Sequence, residues 1–283
     1  MATTTPTRTI SVYEPTVTGL PPLRAYFESV WERRMFIWHM ARTKMKAQHY
    51  DTVMGVVWLV VDPLVMAGTL YLMRAVLRSS GPPAQAGHVI ANLIMGVTFF
   101  YLVRDIVQGC ALSIVGNRAM VLNSSAPRAC FPAVTMVRAL CDMGPALGVY
   151  FLVHMFTGQP WGMSLIMLPL VMLLLVGFSL GLGLAFAPLV VFYRDAGILL
   201  PYLMRIWMYI TPVMFTVAEI PGGFRGLFLI NPLYPFFAML QQIFVARWPS
   251  PAYLLGALAW TLGSLLVGGV AFLIRERDYA VRL

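Results

Sequence analysis

Apolar residues gather along this chain in blocks of about 20, long enough for a helix to cross a bilayer, separated by short stretches rich in Gly, Pro and charge. The blocks predict six spanning helices, at about 53–77, 89–109, 131–156, 163–192, 197–217 and 252–274. The fourth is long enough to tilt. Between them lie breakers such as "SSGPPAQAG" (79–87), "TGQPWG" (157–162) and "RWPSP" (247–251). Two segments follow a different rhythm. In residues 23–46, Leu23, Phe27, Val30, Trp31, Trp38, Ala41 and Met45 share one side of a helical wheel, opposite Glu28, Glu32, His39, Arg42 and Lys46. That pattern predicts an amphipathic helix in the headgroup region, anchored by Trp31 and Trp38, with Arg34 snorkelling out of the apolar stripe. Residues 218–247 are apolar too, but Gly222, Gly223, Pro232 and Pro235 cut them into pieces too short to span. They predict a re-entrant helix pair, with Gly222, Gly223, Asn231 and Pro232 as an outer gate, because broken backbone at membrane depth must be covered by protein or line a cavity.

"GLAFAPLVVFYRDAGILLPYL" (183–203) carries Arg194 and Asp195 inside an otherwise apolar run. Unpaired charges are rare in mid-membrane. The pair therefore reads as a cytoplasmic turn between the fourth and fifth spans.

Composition supports a membrane class. The chain has 283 residues, 59% hydrophobic and 11% charged, with a mean hydropathy of +0.77. The formal net charge is +9, which in this setting points to basic loops facing anionic lipid and not to nucleic acid. Placing both termini in the cytoplasm puts the seven Lys and Arg of residues 1–52 inside, with Arg118, Arg128, Arg194, Arg275, Arg277 and Arg282. Arg74, Arg78, Arg225 and Arg247 then lie outside, an asymmetry that favours this orientation. Residues 1–22 are Thr- and Pro-rich, without the apolar core of a signal peptide, and read as a flexible arm.

Candidate chemistry is sparse. Cys110, Cys130 and Cys141 form no CxxC pair, and the four His (His39, His49, His88, His154) form no HExxH. No metal site and no catalytic set is expected. Lys44 and Lys46 are the only lysines and neither follows Gly, so there is no Walker P-loop. If transport is ATP-driven, ATP and Mg belong to another chain. The carboxylates within expected spans are Asp62, Asp105 and Asp142. Arg138 and Asp142 stand one turn apart and read as a neutralising pair, with a proton relay or a substrate contact as the functional alternative. Arg104 and Asp105 are adjacent and are not expected to share a face. Arg205 has no local partner and is the best candidate for touching an anionic substrate. The loop 113–132, "SIVGNRAMVLNSSAPRACFP", holds a short apolar–polar stretch from Asn117 to Leu122 that could dock in a partner's groove.

The order of these features resembles the membrane subunits of type-2 ATP-binding-cassette exporters, in the branch that handles O-antigen, capsule, teichoic acid and galactan-type polymers. "MARTKMKAQHYDTVMGVVWLVVDPL" (40–64), with Tyr50, Gly55, Trp58 and Pro63, is similar to the segment entering the first span. "SIVGNRAMVL…PRACFP" resembles the coupling segment and ends in the family's Phe-Pro at Phe131-Pro132. "FYRDAGILLPYLMRIWMYITPVMF" (192–215) resembles the Phe-x-Arg-Asp turn and its aromatic-rich span, and "LINPLYPF" (229–236) resembles the Asn-Pro motif. "FLIRERDYAVRL" resembles the basic tail. The likeness covers about residues 25–283. It departs where members often carry Lys-Lys in the coupling segment, here Leu122–Ser125, and Asn before the first-span Pro, here Asp62.

The resemblance implies an all-α permease working as a homodimer with two ATPase subunits in the inner membrane. Its substrate would be a lipid-linked polysaccharide moved outward from the cytoplasm. Residues 1–22 would be the arm, 23–52 the interfacial helix and 53–283 the permease domain. Within that domain lie a coupling segment (113–130) and an outer gate segment (218–247). Asn117, Arg118, Met120, Leu122 and Arg128 would meet the ATPase. Spans one and five of both copies would line the channel, with Trp58, Tyr71, Tyr202, Arg205, Trp207 and Tyr209 as lining residues. Aromatic faces suit a sugar chain because they stack on C–H surfaces without demanding one hydroxyl pattern. Trp207 and Tyr209 are two apart and cannot both face the same way. Two rivals stay open: export of a small molecule or lipid by the same permease class, and ATP-independent transport using Asp105 and Asp142 as proton sites.

Overall fold

The computed structural model describes residues 22–50, 54–77, 86–124, 126–219 and 225–282. The expected N-terminal arm, apart from residue 22, and the gate glycines Gly222 and Gly223 lie outside the described residues. Everything described is helix or connection: α1 (Leu23–Glu32), α2 (Arg34–Tyr50), α3 (Trp58–Leu77), α4 (Ala86–Leu112), α5 (Arg118–Asn123) and α6 (Cys130–Phe156) come first. They are followed by α7 (Leu168–Phe192), α8 (Arg194–Ile210), α9 (Arg225–Ile230), α10 (Tyr234–Phe244), α11 (Pro251–Arg275) and α12 (Tyr279–Arg282).

Among the described residues, five helices are long and apolar enough to cross a membrane: the α3, α4, α6, α7 and α11 segments. The expected fifth span differs. α8 runs for 17 residues and stops at Ile210, not at 217. Thr211 precedes Pro212, which disfavours helical backbone in the residue before it, and Thr211 is extended at φ −81, ψ 147. The apolar run continues, but as a turn whose Val213 is fully buried against α4. A Cβ at Gly96 would stand 3.1 Å from the Val213 backbone, so Gly96 is what lets the turn approach.

α4 is the centre of the bundle, packed on α3, α6, α7 and α8. The largest helix contact is α7 with α11. Small residues make it possible: a Cβ on Gly268 would collide with the carbonyl oxygen of Gly181, and Thr261 Oγ1 donates to Leu174 O at 3.0 Å. Close backbone approach through small residues is how helices pack without a hydrophobic driving force.

The bundle has two unlike ends. The basal end holds the starts of α3, α6 and α8, the ends of α4, α7 and α11, and also α1, α2 and α5. The distal end holds the segment 211–219 with α9 and α10.

The amphipathic segment is two helices, not one. The break falls at Arg33 (φ −90, ψ 17), whose N–H donates back to Trp31 and Val30 carbonyls. α2 packs on α6 through Ile37 and Ala41, which bury against Cys130 and Val134. Trp31 (71% exposed) and Trp38 (48% exposed) stay outside that contact. Arg34 lies 5.8 Å from the Trp31 ring, a cation–π contact at the rim.

Candidate functional site

Two cavities flank α4 on its α3 side. The first, about 400 Å³, lies between α3, α4 and α6, and its polar lining is Thr98, Tyr101 and five charged residues. Those are Asp62 on α3, Arg104 and Asp105 on α4, and Arg138 and Asp142 on α6. The second, about 620 Å³, lies between α3, α4 and α8 and shares Tyr101, Arg104 and Asp105 with the first. It adds Gln108, Arg205 and Tyr209.

Neighbouring sequence positions did not keep Arg104 and Asp105 apart. Arg104 Nε donates to Asp105 Oδ1 at 2.8 Å, and its guanidinium lies 3.8 Å from the Tyr101 ring centre. A long side chain can bend sideways along a helix, which face arithmetic on Cβ positions misses. Arg138 Nε and Asp142 Oδ2 stand 3.5 Å apart, one turn apart on α6. Both carboxylates that could act as proton sites thus sit beside a guanidinium. Thr98 is 2% exposed and its hydroxyl has no hydrogen-bond partner among the described residues. Arg205 is exposed on α8 and makes no hydrogen bond or ion pair among the described residues.

The expected lining residues divide. Trp58, Tyr202, Arg205 and Tyr209 are exposed on the α3 and α8 faces. Tyr71 is half-buried against the core. Trp207 turns the other way: its Nε1–H donates to Asn231 Oδ1 at 2.9 Å and its ring meets Phe178 edge-on at 6.3 Å. Trp207 is therefore a joint, not part of the exposed α8 face.

Asn231, 8% exposed, is that joint's other half. Its Oδ1 also accepts the Leu233 N–H at 3.1 Å, and its Nδ2 donates to Thr211 Oγ1 at 3.3 Å and Ile210 O at 3.4 Å. Pro232 follows in the turn that enters α10. Two residues without a motif complete this distal clasp. Gln241 Nε2 donates to the Pro212 and Phe215 carbonyls at 2.9 and 3.1 Å, while its Oε1 accepts the Val217 N–H at 2.9 Å. Arg74, at the end of α3, donates to Met214 O at 2.7 Å and pairs with Glu219. The usable signal was a basic residue in the last turn of a spanning helix.

At the basal end, α5 exposes Arg118, Met120 and Leu122 and buries Val121. Val121 packs in one cluster with Phe272 and Tyr279 from the C-terminal region and Phe131 from α6. Lys44 Nζ donates to Asn117 Oδ1 at 2.7 Å, tying α2 to this segment. Burial, then the Arg138 charge, push the Lys44 ammonium below the usual lysine range. The Arg128 N–H donates to Glu276 Oε1 at 2.9 Å and the Ala129 N–H to Tyr26 Oη at 3.2 Å, just before α6 begins. A buried carboxylate there complements the helix dipole. Burial and the neighbouring Glu276 push the Tyr26 phenol up, so it stays protonated. Sequence reasoning passed over Tyr26, Glu276 and Tyr279, since no local pattern marks contacts this far apart along the chain.

Arg194 and Asp195 are exposed and occupy the first turn of α8. The break from α7 is the single extended residue Tyr193, so the wet turn is shorter than expected. Among the described residues no three His, Cys, Asp or Glu side chains converge as a metal site.

An all-α bundle of apolar helices, polar along one side of its central helix, is a multi-pass membrane protein. A model of the ABC-2 type transporter family matches residues 36–245, and the chain belongs to that family. It is 22% identical over 254 residues to the O-antigen export system permease protein RfbA of Myxococcus xanthus, covering 89% of this chain and 96% of that one. A Klebsiella pneumoniae protein of the same name is 22% identical over 209 residues, covering 71% and 76%. The chain is thus a transporter membrane subunit and not an enzyme, and family membership implies an ABC ATPase as its partner.

Proposed function

We propose that this chain is the channel-forming subunit of an ATP-driven exporter that moves a lipid-linked polysaccharide across the inner membrane. It works as a homodimer with two ATPase subunits, both termini of each copy being cytoplasmic. The basal end is then the cytoplasmic end. Likeness to relatives named O-antigen export permeases supports the polysaccharide.

The observation that carries the mechanism is the two-faced α5. Its exposed side offers Arg118, Met120 and Leu122 to a partner, while Val121 is keyed into the cluster that joins α6 to the C-terminal region. A push on α5 from the ATPase is thereby delivered to the start of α6 and the end of α11. The exposed faces of α3 and α8, with Trp58, Tyr202 and Tyr209, line the path. The segment 218–247 closes it at the outer face, and α1 and α2 lie along the inner surface.

Extraction in mild detergent should yield this chain and an ATPase subunit in equal amounts. Depletion should make lipid-linked glycan accumulate inside the cell. Recovery of the chain without a nucleotide-binding partner would overturn the reading. Met120→Pro should leave the complex assembled but separate ATP hydrolysis from export, and normal export by that variant would remove α5 from the coupling role.

A further inference from the structure

A third cavity, about 560 Å³, lies at the distal end, between α4, α10, α11 and the turn that follows α8. Its volume falls within the range of small-molecule sites, about 300 to 1,000 Å³. α4 contributes Asn92 to its wall and the turn contributes Thr216. Asn92 precedes Tyr101 by nine residues, about two and a half helical turns. It therefore faces the opposite side of α4 from the ring that lines both cavities described above. The distal cavity stands apart from the path along α3 and α8.

The clasp fixes one wall of this cavity and leaves other groups unspent. Gln241 holds the turn, and Gln242 Oε1 accepts the Ser250 N–H at 2.9 Å. Tyr234 of α10 and Tyr253 of α11 meet edge-on, with ring centres 5.7 Å apart and hydroxyls 3.5 Å apart. The side chains of Asn92, Thr216 and Arg247 make no hydrogen bond or ion pair among the described residues. The lining includes no carboxylate, and its single charge, Arg247, is exposed. An exposed guanidinium holds an anion only weakly, so these walls do not select a phosphate. Amides and hydroxyls both donate and accept, as a sugar hydroxyl does. A guanidinium fork spans two neighbouring hydroxyls, and the tyrosine rings offer apolar surface to the C–H groups between them. Neutral polar groups on a partly aromatic wall suit a sugar ring better than a lipid headgroup.

We propose that the distal cavity is a carbohydrate site, which takes sugar rings of glycan that has already emerged at the outer face. This rests on the proposed function and adds to it a place, outside the transport path, where the exported chain is held.

The test uses the complex of this chain with its ATPase, in nanodiscs of phosphatidylcholine. The probe is a set of short, lipid-free oligosaccharides, released by mild acid from the lipid-linked glycan that accumulates on depletion. Saturation-transfer NMR should show binding with a Kd of about 1 mM. Asn92→Leu should weaken it about 10-fold and Arg247→Ala about 3-fold. Where Asn92→Leu fails to assemble with the ATPase, Thr216→Val takes its place, with about 5-fold weakening expected from one lost hydroxyl. Absence of binding to the unaltered complex overturns the proposal. So does binding that Tyr209→Ala abolishes and Arg247→Ala leaves intact, since that puts the sugar in the path along α3 and α8. Glycerol phosphate binding as tightly as the oligosaccharides also overturns it, by making the cavity a site for lipid headgroups. The unaltered gene is scored in parallel for restoring glycan export to depleted cells. Export restored without oligosaccharide binding strikes the distal site alone. Depletion that yields no lipid-linked glycan strikes the proposed function, and the distal site falls with it.

Discussion

The distal clasp and the cavities beside α4 both carry polar groups in apolar surroundings, but they use them in opposite ways. Distally, Asn231 spends both its amide oxygen and its amide nitrogen on Trp207, Leu233, Thr211 and Ile210. Gln241 does the same for Pro212, Phe215 and Val217. The Gln241 bonds run to a segment that cannot supply its own partners, because Pro212 ends α8 and leaves carbonyls and amides outside any helix. Beside α4, by contrast, Thr98 keeps a buried hydroxyl with no partner among the described residues and Arg205 keeps an unengaged guanidinium. A saturated network fixes one conformation, whereas unspent hydrogen-bonding capacity is available to something that passes through. The clasp reads as architecture and the cavities read as function, although both contain charged residues inside apolar sequence.

Breaking the clasp should therefore cost the fold. Asn231→Leu keeps the volume but strands the Trp207 Nε1–H and the Leu233 N–H, and should destabilise the protein by about 3 to 5 kcal/mol. Thermal unfolding of the detergent-solubilised protein, followed by size exclusion, reads this directly. An unchanged melting temperature would mean that Asn231 is not a joint. Gln241→Leu should cost less, about 2 kcal/mol, because the freed Pro212 and Phe215 carbonyls can take other donors while the Val217 N–H cannot. If Gln241→Leu proves the more damaging of the two, the hold on the 211–219 turn outweighs the Trp207 joint.

The basal end has one saturated element of its own, and it calibrates the comparison. Glu276 is 7% exposed and accepts the Arg128 N–H at the start of α6. Glu276→Gln keeps an acceptor and removes the charge, which should cost about 1 kcal/mol through the helix dipole. Glu276→Ala should cost about 1 to 2 kcal/mol, since the Arg128 N–H loses its partner. Equal melting of Gln and Ala variants would show that the charge, and not the bond, is what Glu276 contributes.

Much of this architecture was legible because bilayer thickness imposes a length on apolar runs. α4, α6, α7 and α11 fall within a few residues of their expected limits for that reason. The misreadings share a cause: continuity of hydrophobicity is not continuity of helix. Residues 211–217 stay apolar after Pro212 has ended α8, and the 23–46 stripe hides a break at Arg33 that no Gly or Pro announces. The wheel placed Trp31, Trp38 and Ala41 on one stripe, whereas the contact with α6 is made by Ile37 and Ala41 and the two Trp stay exposed. Side-chain reach was the other blind spot, since Arg104 bends to the adjacent Asp105 and Trp207 leaves the exposed face for Asn231. Thr98 and Gln241 carry no pattern at all. Their opposite hydrogen-bond states exist only in three dimensions.

Thr98→Val gives the comparison its sharpest and smallest test. The substitution is nearly isosteric and removes only the hydroxyl. Were Thr98 part of a structural network like the clasp, its loss would strand a partner and lower stability by about 1 to 3 kcal/mol. Since the hydroxyl bonds nothing among the described residues, removing it relieves an uncompensated buried polar group, and stability should hold or rise by up to about 1 kcal/mol. The expected outcome is a melting temperature that does not fall, together with reduced glycan export as the cavity loses one of its free groups. A drop in melting temperature comparable to Gln241→Leu would place Thr98 in the fixed framework and collapse the distinction between the clasp and the cavities. An unchanged melting temperature with unchanged export would keep the structural half of the contrast and confine function to the charged residues around Arg104 and Arg205.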